Sequence, residues 1–199
     1  MKIVAITGGI GVGKTTVCNF FKSFGASVYH SDLAAKEIMV SDLVLKNAIE
    51  TLLGKDAYLK DGSLNKSYIA SEIFGDPEKR KALNILVHPA VNNDFEKWLS
   101  VESLKSHRLN YVIYESALVF ENKKEDAFDV LILVTAPLDE RIKRVVGRDA
   151  KSESQVSAVI KAQFSDDKNA KKADFLIDNQ DLSKTLLKTK EIHNILIKQ

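Results

Sequence analysis

The sequence predicts an α/β protein: a five-stranded parallel sheet between two layers of helices, with a helical insertion and a small lid. Three observations predict it. Short apolar β-rich runs alternate with helical stretches along the chain, the pattern of β-α-β units. The most apolar run, Asp129 to Thr135 (DVLILVT), shows no period-two alternation, so both of its faces should be covered. The first run, Lys2 to Thr7 (KIVAIT), passes through a glycine-rich turn directly into a helix. Right-handed crossovers then place helices on both faces of the sheet.

That turn, Gly8 to Thr16 (GGIGVGKTT), fits the pattern G-x-x-x-x-G-K-[ST], with Gly8, Gly13, Lys14 and Thr15 at its fixed positions. Strand, turn and helix are the context in which the pattern cradles phosphate. Glycines let the backbone approach a ligand closely, and successive N–H groups then point inward as an anion-binding nest. The helix opening near Lys14 adds unpaired N–H groups and the positive end of its dipole. The expected ligand is ATP, held by Gly8, Gly9, Gly11, Val12, Gly13, Lys14, Thr15 and Thr16. Lys14 should reach the β- and γ-phosphates, and the Thr15 hydroxyl should bind Mg²⁺. Kinases, motors, switches and transporters all use such a loop, so the loop does not choose among them.

Beyond the first helix, Val17 to Phe24, Gly25 is a C-terminal cap. Ser27 to His30 reads as the second strand, and Ser31-Asp32 opens a helix over Leu33 to Val40. Asp32 thus stands at the carboxyl ends of the strands, where ligands bind in open α/β sheets. N-capping of that helix is an equal reading of Asp32. Residues 33–108 read as a helical insertion. Ser63 caps a helix over Leu64 to Phe74, Asp76-Pro77-Glu78 opens another, and a further helix starts at His88-Pro89 and runs to Ser106. Asn110 to Glu115 is the third strand. Its terminal Glu115 can hold Mg²⁺ through water or simply face solvent.

Pro137 opens a helix after the fourth strand, with Asp139 and Glu140 matched to its dipole. Arg141, Arg144 and Arg148 follow at spacings that share one face. Arginine grips phosphate bidentately, so these residues read as a cationic lid, first through Arg144 and Arg148 and less through Arg141. The alternative is a solvated charged face. Ser152 and Gln155 form a capping box for a helix over Glu153 to Phe164, and Lys168, Lys171 and Lys172 follow. Ala173 to Asp178 is the fifth strand, and Ser183 caps the last helix, which runs to Ile197. The lid region is set at residues 141–168, inside one domain that spans 1–199.

The 199 residues carry a net charge of +2, and no basic stripe with interleaved aromatics points to nucleic acid. No run of about 20 apolar residues points to a membrane span, and a chain starting directly with a strand is expected to lack a signal peptide. The single cysteine, Cys18, cannot close an internal disulfide and reads as a small core residue rather than a redox sensor. A cytoplasmic enzyme fits these features. The oligomeric state stays open.

Several segments together resemble the dephospho-coenzyme A kinase family of the P-loop kinase superfamily, over nearly the whole chain. ITGGIGVGKTTV resembles its opening. VYHSDLAAK is similar to the family's V-I-D-A-D-x-x-A-R, with Asp32 on the second aspartate. His88-Pro89 matches a family His-Pro, and Glu115 to Glu121 (ESALVFE) resembles D-x-P-L-L-F-E. Arg144, Arg148 and Asp149 match R-x-x-x-R-D. Ala162-Gln163, Ala173-Asp174 and Ile177-Asp178-Asn179 match the closing A-Q, A-D and I-D-N signals. The resemblance implies transfer of the ATP γ-phosphoryl group to the ribose 3′-hydroxyl of dephospho-coenzyme A. It makes Asp32 the base and resolves the even reading of that residue. Lys14, Arg144, Arg148 and Mg²⁺ would stabilise the transferring group, and Asp32, His88 and Arg144 would meet the acceptor.

The chain departs from the family pattern where His30 replaces the first aspartate of D-A-D, where Glu115 replaces an aspartate, and where Ala117 replaces a proline. Two other readings stand beside this one. One is a different small-metabolite or nucleoside monophosphate kinase on the same scaffold. The other is a nucleotide switch without transfer, for which Asn122 to Glu125 (NKKE) is the nearest approach to a guanine-reading N-K-x-D.

Overall fold

The computed structural model describes residues 1–106, 109–149, 152–163 and 169–198. Its sheet has five parallel strands, β1 (Lys2–Thr7), β2 (Val28–His30), β3 (Tyr111–Glu115), β4 (Val130–Thr135) and β5 (Phe175–Asp178), in the order β2-β3-β1-β4-β5. The chain leaves β1 toward β2 and leaves β4 toward β5, in opposite directions. The strand order therefore switches between β1 and β4, and a crevice opens there at the carboxyl ends of the strands.

The uninterrupted apolar runs have a direct physical cause. Val4 and Ile6 of β1, with Ile113, Ile132 and Ile177, bury one face of the sheet against Phe21 of α1 (Lys14–Ser23) and Ile192 and Leu196 of α8 (Leu182–Leu196). Ala5, Leu131 and Leu133 point the other way and pack with Val119 and Phe120. Successive side chains alternate faces in a strand, so only a continuous apolar run serves a sheet covered on both sides. Two aspartates close the strand starts: Asp129 accepts from the Ile3 N–H at 2.7 Å and Asp174 from the Leu131 N–H at 2.8 Å.

The chain divides into two compact units, Met1–His30 with Glu102–Gln199, and Ser31–Val101. The second contains α2 (Ser31–Ser41), α3 (Leu43–Leu53), a 3₁₀ turn (Lys55–Ala57), α4 (Lys66–Ile73) and most of α5 (Pro77–Ser103). Tyrosine hydroxyls tie it internally, Tyr58 donating to the Met39 carbonyl at 2.7 Å and Tyr68 to that of Leu53 at 2.8 Å. The first unit continues with α6 (Leu138–Asp149) and α7 (Glu153–Ala162). No helix among the described residues is long and apolar enough to cross a membrane.

Several boundaries differ from expectation. His88-Pro89 does not start a helix, because α5 runs unbroken from Pro77 with Pro89 inside it. A proline there removes the N–H that would bond the Ile85 carbonyl, and Ile85 is exposed, so water can serve that carbonyl instead. Asn65, not Ser63, caps α4, accepting from the Tyr68 N–H at 3.2 Å, while the Ser63 N–H turns back onto Asp61 at 2.9 Å. Asp181, not Ser183, caps α8 through the Lys184 N–H at 3.0 Å. Asp32 is not an N-cap either: α2 begins one residue before it, and its carboxylate sits in the first turn. The capping box of Ser152 and Gln155 is present at α7. Phe164 and Lys168 lie outside the described residues.

Two measurements check the packing. Phe21→Ala empties a fully buried site and should lower unfolding free energy by about 3–5 kcal/mol in urea titrations. His193, 2.7 Å from the Tyr111 hydroxyl, is held below the ordinary 6.5 by burial. The unfolded chain therefore binds the extra proton first. Stability should be complete above about pH 6.5 and fall as the pH drops through that window, and His193→Gln should flatten this slope.

Candidate active site

The phosphate loop begins where β1 ends. Gly13 has φ 88°, a left-handed conformation, and caps α1 with no side-chain hydrogen bond, and α1 has no acid in its first turn. The positive end of this helix is thus left to an anion. The Lys14 ammonium crosses the loop and donates to the Gly8 carbonyl at 2.9 Å. Thr15 is exposed and Thr16 half-buried at the start of α1.

A loop that turns its N–H groups inward turns carbonyls outward, and each needs a donor. Asn179, at the end of β5, donates its side-chain amide to the buried Val12 carbonyl at 2.8 Å. The Thr185 hydroxyl of α8 lies 3.1 Å from the Asn179 Oδ1 and 2.7 Å from the Asp181 carbonyl. Arg141 of α6 donates Nε to the Ile10 carbonyl at 2.9 Å, and Gln163 accepts from the Ile10 N–H at 2.8 Å. Arg144 donates to the Asn179 carbonyl at 2.8 Å. These contacts also explain two glycines. A Cβ on Gly13 would fall on the Asn179 amide, and one on Gly9 would fall on the Arg141 guanidinium.

The three arginines of α6 are therefore not equivalent. Arg141, the least favoured from sequence, is buried against the loop despite its charge. Arg144 is half-buried, pairs at 3.9 Å with Glu140, and keeps Nη1 buried with no partner among the described residues. Arg148 is exposed at the helix end and pairs with Asp149 at 2.6 Å, which raises its already high pKa. The lid region assigned to 141–168 ends on residues 164–168, outside the described residues.

At the same sheet edge, β2 and β3 end side by side with His30 opposite Glu115. The His30 Nδ1 lies 2.7 Å from the Glu115 carboxylate, and the Lys22 ammonium lies 2.9 Å from His30 Nε2. Buried Cys18 lies within the fields of this group. Burial first, and then Glu115, push its thiol far up, while Lys22 and Lys14 pull it down. The raised pKa leaves Cys18 an inert core residue, in line with its sequence reading.

Two expected site residues belong to the Ser31–Val101 unit. Asp32 is the second residue of α2, and His88 is half-buried within α5. A cleft of about 680 Å³ in this unit is lined by Lys36, Val40, Leu59, Leu64 and Lys66. Asp32, Lys36 and Val40 follow at intervals of four along α2 and so share one face. Of the side chains that hold the loop, sequence reasoning gave Gln163 and Asn179 no role and ranked Arg141 last among the lid arginines. Gln163 and Asn179 were visible only as matches to closing signals, without a role.

Comparison with known proteins finds relatives that cover nearly the whole chain. The sequence model of dephospho-CoA kinases matches residues 2–184. The dephospho-CoA kinase of Salinibacter ruber is 36% identical over 179 residues, 90% of this chain and 89% of the relative. That of Chlorobium luteolum is 32% identical over 98% of this chain and 90% of the relative. The crystal structure of TT1252 from Thermus thermophilus superposes with a TM-score of 0.85 at 30% identity, covering 98% of this chain and 96% of that one.

The clamp can be tested directly. Asn179→Ala leaves the buried Val12 carbonyl without its donor, at a cost of about 1–3 kcal/mol. ADP affinity, measured by calorimetry, should fall about tenfold while the far-ultraviolet spectrum stays that of the parent.

Proposed function

The chain belongs to the dephospho-CoA kinase family, and from that membership we propose how its residues perform the transfer. The acceptor is the ribose 3′-hydroxyl of dephospho-CoA and the donor is ATP. The new bond joins the acceptor oxygen to the γ-phosphorus, the bond from that phosphorus to the bridging oxygen breaks, and ADP leaves with CoA as product. The observation that supports this reading best is the phosphate loop. Its carbonyls are tied back by Asn179, Arg141 and Lys14, which leaves the uncapped helix end to a polyphosphate.

Asp32 takes the hydroxyl proton as base, in the first turn of α2. Charge on the transferring group is met by Lys14, Arg144 and Arg148, as in other phosphoryl transfers. Asp32, His88 and Arg144 bind the acceptor. In the Ser31–Val101 unit, the two lysines and apolar walls of the α2 cleft suit the diphosphate and pantetheine arm, and the shared face of α2 runs from that cleft to Asp32. Residues 141–168 close as a lid, which excludes water and limits wasteful hydrolysis.

The oxygen donors present fit Mg²⁺. Thr15 offers a hydroxyl at the loop and Glu115 a carboxylate at the same sheet edge. Among the described residues no cluster of three His, Cys, Asp or Glu forms a complete cage, as suits a cation that keeps several waters and binds substrate phosphates. Thr15 would hold Mg²⁺ directly and Glu115 through water. When bound, the ion supplies charge neutralisation at the phosphates. A cytoplasmic location goes with this reading, because both substrates are soluble metabolites.

ADP release should require dephospho-CoA, with nucleoside monophosphates and shikimate inactive in a coupled assay, and NMR should place the new phosphate on the 3′ oxygen. Asp32→Asn should lower kcat by about 10²–10⁴-fold while ADP affinity stays within about twofold of the parent. Turnover near the parent value would remove Asp32 from the role of base.

A further inference from the structure

His30 stands between a cation and an anion. Its Nε2 is 2.9 Å from the Lys22 ammonium and its Nδ1 is 2.7 Å from Glu115. An ammonium only donates, so Nε2 must be the lone-pair nitrogen. The ring proton is then on Nδ1 and is donated to the Glu115 carboxylate. The tautomer follows from the two partners, as it does for histidines that orient a neighbouring ligand.

The elements hold this arrangement firmly. His30 and Glu115 are cross-strand partners at the last paired position of β2 and β3, and Lys22 projects from the last turn of the helix that begins at the phosphate loop. Glu115 is itself the register partner of Ile6, two residues before the loop. The Glu115 side chain is 11% exposed and that of His30 is 22% exposed. Both positions are ones at which this chain departs from the family pattern, and the structure makes them neighbours.

We infer that His30 is a positioning residue for phosphoryl transfer: its ring, set in one tautomer by Lys22, fixes the direction of the Glu115 carboxylate at the sheet edge beside the phosphate loop. The inference rests on the reading of Glu115 as the carboxylate that holds the hydration shell of Mg²⁺. A partner of this kind changes metal affinity by about 10–100-fold when removed. It should leave alone the contacts that the loop makes with phosphate itself.

The test compares ADP binding with Mg²⁺ and with a chelator, by calorimetry on the full chain. Glu115→Gln tests the underlying reading and should reduce the gain in ADP affinity that Mg²⁺ brings. His30→Ala should reduce that gain about tenfold, with metal-free ADP affinity within about twofold of the parent. His30→Asn keeps a donor at the position of Nδ1 and should recover most of the gain. In the metal-free parent, ¹⁵N spectra should show the His30 ring protonated at Nδ1 and bare at Nε2. If Glu115→Gln leaves the gain intact, the Glu115 reading fails and the inference with it. If Glu115→Gln reduces the gain but His30→Ala does not, or lowers metal-free affinity equally, the inference alone fails. A ring protonated at Nε2 and bare at Nδ1 overturns it as well.

Discussion

A peptide unit cannot aim its N–H at an anion without aiming its carbonyl away from it. The phosphate loop makes that trade over several consecutive residues, and much of the first unit is arranged around the carbonyls left over. The Val12 carbonyl takes the amide of Asn179, that of Ile10 takes Arg141, and that of Gly8 takes Lys14. A buried carbonyl without a donor costs on the order of 1–3 kcal/mol, so these three contacts decide whether the loop keeps its shape. They come from the end of β5, from α6 and from the loop itself. The strand order explains how the first two arrive, because β4, β5 and their following helices sit on the side of β1 where the sheet switches direction.

The parts that read correctly from sequence are those whose causes are local. The loop and its flanking elements are set by residues within one short stretch, and the strands by apolar runs that a doubly covered sheet requires. The capping box of α7 involves residues three apart. The side chains that hold the loop are another matter. Asn179 lies 167 residues from Val12 and Gln163 lies 153 residues from Ile10. No spacing rule connects them, and only resemblance to a family marked them. Arg141 ranked below Arg144 and Arg148 as a lid residue, and a solvated charged face was the alternative for all three. The structure buries Arg141 against a carbonyl that needed a donor.

The misread caps share one cause. At Ser63 and Ser183 a hydroxyl competed with a neighbouring Asn or Asp for the helix start, and the side chain that could reach the third N–H prevailed in each case. Pro89 was misread because proline is an effective stop signal only when its surroundings cannot satisfy the orphaned carbonyl. Within a helix of 27 residues, one missing bond is a small defect.

Cys18 is the one sulfhydryl in the chain, shielded under the loop, with its ionisation suppressed by burial. Thiol reagents such as maleimides react with the thiolate and will find almost none in the native protein. A cysteine placed anywhere on the surface would therefore be the sole target for a fluorophore or spin label. The native sequence supplies a silent background for distance spectroscopy, with no need to delete a residue from the core first.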